Sequence, residues 1–78
     1  MILTEQEQTL LDLITSHGGG KKVRELERET GLNYQEIIKT SRSLISKGYG
    51  IRGIGVSDWI ERLFLSPYDK NYETLIQK

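Results

Sequence analysis

The sequence predicts a mainly α domain completed by a small β-hairpin, an α+β fold of three helices with room for a short fourth at the C-terminus. Three observations carry this. Two helix-start signatures pair a capping residue with a glutamate one turn later, Thr4 with Glu7 and Asn33 with Glu36. Glycines punctuate the ends of the helical patterns, at Gly18-Gly19-Gly20, Gly31 and Gly48. After Gly48 the apolar residues alternate in strand fashion instead of recurring at helical spacing.

Thr4 opens the first helix, whose buried stripe is Leu10, Leu13 and Ile14 with Leu11 beside it. His17 and the three glycines stop it, and the His17 ring is placed to cap the last carbonyls. The second helix runs from about Val23 to Thr30. Val23 and Leu26 form its buried face, and Arg24, Glu25, Glu27, Arg28 and Glu29 are solvated. Gly31 ends it, and Asn33 caps a third helix over 34–47. There Ile37 and Leu44 share a core stripe with Ser41 between them, and Ile38 and Ile45 flank it. Gln35, Lys39, Arg42 and Ser46 lie on the opposite side. The hairpin occupies 50–65, with Gly55-Val56-Ser57-Asp58 supplying the turn and Trp59 expected in the core beneath it. These elements make one domain over 1–67. The tail, 68–78, carries Tyr72, Leu75 and Ile76 at the spacing of a short helix.

With 78 residues the chain is bounded at one domain. It has no cysteine, which removes disulfides, thiol nucleophiles and thiolate metal sites. Its single histidine has no second His or Cys to complete a metal site. Gly18-Gly19-Gly20-Lys21-Lys22 lacks the spacing of a phosphate-binding loop and follows a helix, not a strand. The expectation is therefore a protein that is not an enzyme, with no catalytic residue, metal or cofactor. No apolar run approaches the roughly 20 residues of a membrane span, and Met1-Ile2-Leu3 followed by polar residues gives no signal-peptide pattern. The expected location is cytoplasmic, nucleoid-associated, or nuclear in a eukaryote, with no membrane partner.

The 11 basic and 11 acidic side chains cancel. Charge is nonetheless polarised along the chain: between His17 and Arg52, eight basic residues face four acids, so that segment carries +4 and the remainder −4. The segment Leu26-x4-Gly31-Leu32-Asn33-x3-Ile37-x6-Leu44-x3-Gly48, followed by the hairpin, resembles the winged helix-turn-helix superfamily from about Leu3 to Leu65. It resembles the reader domains of small bacterial and archaeal repressors. Its helical order is also similar to that of Z-DNA-binding domains. Their recognition-helix Asn and Tyr fall at Ile38 and Arg42 here, however, and their wing prolines are missing, so left-handed DNA is set aside. Thr40-Ser41 departs from the superfamily pattern, which places an apolar residue there, and implies a thin core beneath the third helix.

The resemblance implies a double-stranded DNA-binding transcriptional regulator. Helix 34–47 would enter the major groove and the hairpin 50–65 would lie on the flanking backbone. Tyr34, Gln35, Ile38, Lys39 and Arg42 would face the duplex: Gln35 toward adenine, Arg42 toward guanine or a phosphate, Ile38 toward a thymine methyl. The amides after Asn33 would receive a phosphate. Lys21, Lys22 and Arg24 would approach the backbone, and Arg52 and Ser57 the neighbouring groove. The competing expectation is a protein-interaction module in a transcription, replication or segregation assembly. Zero net charge, Ile38 on the exposed side, and an acidic first helix (Glu5, Glu7, Asp12) motivate it. A homodimer is a further expectation: Ile2, Leu3, Tyr68, Tyr72, Leu75 and Ile76 can pair two subunits or cover the first helix.

Overall fold

A computed structural model describes residues 2–76. It is a small α+β domain in the order α1 (Glu5–Ile14), β1 (Lys21–Lys22), α2 (Val23–Thr30), α3 (Tyr34–Ser46), β2 (Ile51–Val56), β3 (Trp59–Leu65) and α4 (Tyr72–Leu75). The three strands form one antiparallel sheet in the order β1-β3-β2. Residues 77 and 78 of the tail, and Met1, lie outside the description.

Both expected capping boxes form. The Thr4 hydroxyl accepts from the Glu7 amide at 3.1 Å while the Glu7 carboxylate accepts from the Thr4 amide at 2.7 Å. Asn33 Oδ1 accepts from the Glu36 amide at 2.8 Å, and Glu36 accepts from the Asn33 amide at 3.0 Å. Gly31 ends α2 in the left-handed conformation, with φ of 77° and its amide donating to the Glu27 carbonyl. A side chain would strain that backbone, so glycine is the residue that lets α3 start three positions later.

The core is a single cluster built from every major element: Leu10, Leu11 and Ile14 of α1, Val23 and Leu26 of α2, Ile37 and Leu44 of α3, and Ile51, Leu63 and Leu65 of the sheet. Leu13 is only half-buried, and Leu11 takes the more central place. Thr40 and Ser41 are buried beneath α3 and satisfy their hydroxyls inside the helix, donating to the Glu36 and Ile38 carbonyls at 2.8 Å each. The described part of the tail, 68–76, packs back onto the domain through Tyr72, Leu75 and Ile76 as partly buried neighbours of the core.

One strand was not expected. Lys21 and Lys22, read as loop, pair with Leu63 and Arg62 across a separation of about 40 residues. Gly20 makes this possible. Its φ is 75°, and a Cβ there would strike the Leu63 carbonyl oxygen and sit 2.6 Å from the Phe64 Cβ. In the hairpin, Ile54 pairs with Arg62 but Gly55 pairs with Ile60, so the extra residue of the bulge, Glu61, belongs to β3.

Candidate nucleic-acid interface

The side of α3 opposite the core presents Gln35, Lys39, Arg42 and Ser46, all exposed. Successive members stand three or four residues apart, so they line one stripe along a 13-residue helix. Arg24 lies exposed in the first turn of α2, and Lys22 caps that helix. Arg52 and Ser57 are exposed on the hairpin, Ser57 at its tip with φ of 52°.

Several residues expected at this surface are otherwise engaged. Ile38 is buried, at 9% exposure, and cannot meet a base or a partner without movement. The wide apolar stripe of α3 absorbs it on the core side. Lys21 is in an ion pair, its ammonium 2.6 Å from Glu29. Asn33 is occupied as the N-cap. Its box consumes the Glu36 amide and sets a carboxylate at the positive end of α3, which opposes an incoming phosphate. Glu7 does not contribute to an acidic outer face, because it is buried against Lys47. The His17 ring is exposed and makes no hydrogen bond among the described residues.

Trp59 is the largest departure. It is 55% exposed, not in the core. Its indole stacks on the Tyr34 ring, with centroids 3.9 Å apart and planes within 8°. The Tyr34 hydroxyl also accepts from the Ile60 amide at 2.9 Å. The first residue of α3 is thus fastened twice to the start of β3, which fixes the hairpin relative to the exposed stripe. No local pattern encodes that contact. Its only sequence signal is a pair of aromatics, Tyr34 and Trp59, far apart in the chain.

A groove of about 720 Å³ separates α2 from the hairpin. Lys22, Arg24 and Arg62 line it, but so do Glu25, Glu27 and Glu61, and Arg62 is turned toward the Gly19 and Gly20 carbonyls at 3.2 and 3.3 Å. Its charges balance, so it makes no phosphate trough. Among the described residues there is no cluster of three or more His, Asp or Glu suited to a metal ion, and no helix long and apolar enough to cross a membrane.

These features define the class only coarsely: a small α+β domain whose layout is compatible with a winged helix. No protein-family model, curated protein or solved structure matches the chain.

Proposed function

We propose that this protein is a winged helix-turn-helix domain that binds double-stranded DNA, acting as a transcriptional regulator, with α3 seated in the major groove. The observation that carries the reading is the single exposed stripe of Gln35, Lys39 and Arg42 on a helix whose other side is core. A helix of this diameter fits the major groove, where glutamine and arginine match the donor and acceptor patterns of adenine and guanine. Lys22, Arg24 and Arg52 supply backbone contacts that add affinity without sequence information. The Tyr34–Trp59 stack supports the same reading, because a hairpin held at a fixed position can meet the duplex beside α3 without an ordering cost.

The test is a gel-shift titration on duplex DNA at several salt concentrations, with a Lys39→Ala, Arg42→Ala variant. The expected result is salt-sensitive binding, and a loss of about 1–3 kcal/mol for each base-reading contact removed. Absence of duplex binding at low salt, or a double variant that binds as well as the parent while remaining folded, overturns it. Regarding the second reading, a protein-interaction module, the structure moves its focus. Ile38 is buried, and the exposed large apolar residues include Ile45 on α3 and the cluster Ile54, Val56 and Trp59 on the hairpin.

A further inference from the structure

We propose that the outer edge of β2 pairs antiparallel with β2 of a second copy of this chain, joining two three-stranded sheets about a twofold axis at Ile54. The strand order β1-β3-β2 leaves β2 bonded on one side only. No hydrogen bond among the described residues reaches Ile51–Val56 except from β3. An edge with free amides and carbonyls accepts an extended strand and little else.

β2 has few of the devices that protect an edge. It contains no proline and one charge, Arg52, and the extra residue of the bulge opposite Ile54 and Gly55 belongs to β3, so none is inserted in β2. The Ser66 amide, just after β3, donates to the Gly50 carbonyl, and in the tail the Asp69 carboxylate accepts from the Gly50 amide while Tyr68 and Asp69 flank an open groove along Ile51, Arg52 and Gly53. Beyond that, Ile54 and Val56 stand 57% and 67% exposed.

Charge favours a second copy as the occupant. With the axis at Ile54, each Ile54 meets its own counterpart and each Arg52 lies opposite Val56 of the other copy. Arg52 is then diagonal to Asp58 at the other hairpin tip, within reach of a long side chain at about 7–8 Å. The symmetry repeats this pair of opposite charges. Beyond Val56 the second chain turns away before it meets the tail. Zero net charge leaves no overall repulsion between copies. The contact is small, so the dimer is a weak, concentration-dependent one.

Sedimentation velocity on the full chain, without DNA, from about 10 µM to about 1 mM, reads this directly. The expected result is monomer at the low end and dimer at the high end. Ile54→Lys sets two ammonium groups face to face and weakens dimerisation at least roughly tenfold. Arg52→Asp and Asp58→Arg each weaken it by placing like charges on the diagonal, and the double swap recovers most of the loss. Far-UV circular dichroism confirms that each variant is folded. A chain still monomeric at the highest concentration, a folded Ile54→Lys variant that dimerises normally, or a double swap no better than its single parents overturns the proposal. Because no DNA is present, these outcomes are independent of the DNA-binding reading.

Discussion

Glu7 is 4% exposed, and both of its carboxylate oxygens are engaged. One accepts from the Lys47 ammonium at 2.6 Å and from the Thr4 amide at 2.7 Å, and the other from the Ser43 hydroxyl. The hydrogen bond from Lys47, then those from Ser43 and Thr4, hold its pKa down from the ordinary 4.5 to about 2, against the opposing pull of burial. The unfolded chain therefore takes up a proton near pH 4.5 that the folded chain refuses until about pH 2. The stability this contributes is complete above pH 4.5, shrinks as pH falls, and is gone below about 2. Urea midpoints measured between those limits should fall steeply for the parent and much less for Glu7→Gln, which should be the less stable of the two at neutral pH. Parallel acid limbs would show that the ion pair does not control acid stability. Tyr34 offers a second test at this scale. Tyr34→Phe keeps the ring on Trp59 and removes the acceptor for the Ile60 amide, a loss of about 1 kcal/mol in urea unfolding. A Tyr34→Ala, Trp59→Ala double-mutant cycle should give a coupling of about 0.5–1.5 kcal/mol for the stack.

At the scale of elements, the helices are legible in the sequence because their determinants are local. Thr4 with Glu7, and Asn33 with Glu36, specify two starts within one turn each, and Gly31 and Gly48 specify two ends. The β2–β3 hairpin is legible for the same reason. β1 is not: two lysines with no apolar alternation become a strand only because Leu63 and Arg62 arrive beside them. The surface around α3 is half legible. Helical spacing correctly exposes Gln35, Lys39 and Arg42, yet it leaves Ile38 on the border of the stripe, where packing decides. The place of Trp59 is not legible, because its partner, Tyr34, is distant in the chain. The dependence of β1 on Gly20 is testable. Gly20→Ala must hold an L-residue at φ of 75° and push a methyl into the Leu63 carbonyl, which is backbone and cannot swing aside. The left-handed conformation alone costs about 1–2 kcal/mol, so the total loss in urea unfolding should exceed about 2 kcal/mol. A variant within error of the parent would mean that the sheet accommodates β1 more loosely than this close approach requires.

On the scale of the whole molecule, a neutral protein cannot draw DNA by its net charge, so affinity must come from how few cations remain free and where they stand. Lys47 is tied to Glu7, Lys21 to Glu29, and Arg62 to the carbonyls of Gly19 and Gly20. The exposed cations of the proposed interface are then Lys39 and Arg42 on α3, Lys22 and Arg24 at the start of α2, and Arg52 on the hairpin. Each phosphate neutralised contributes about −0.9 to the slope of log affinity against log salt concentration. All five would give about −4.5 per protomer, and the α3 pair alone about −1.8. Lys22→Ala, Arg24→Ala should therefore flatten the slope by up to about 1.8 and weaken every duplex alike, since phosphate contacts carry no sequence information. Lys39→Ala, Arg42→Ala should instead lower affinity most on the preferred duplex and narrow its advantage over others, because part of that loss is base readout. If the α2 pair relaxes sequence preference and the α3 pair does not, α2 rather than α3 is the element in the groove, and the assignment of α3 as the reading helix fails.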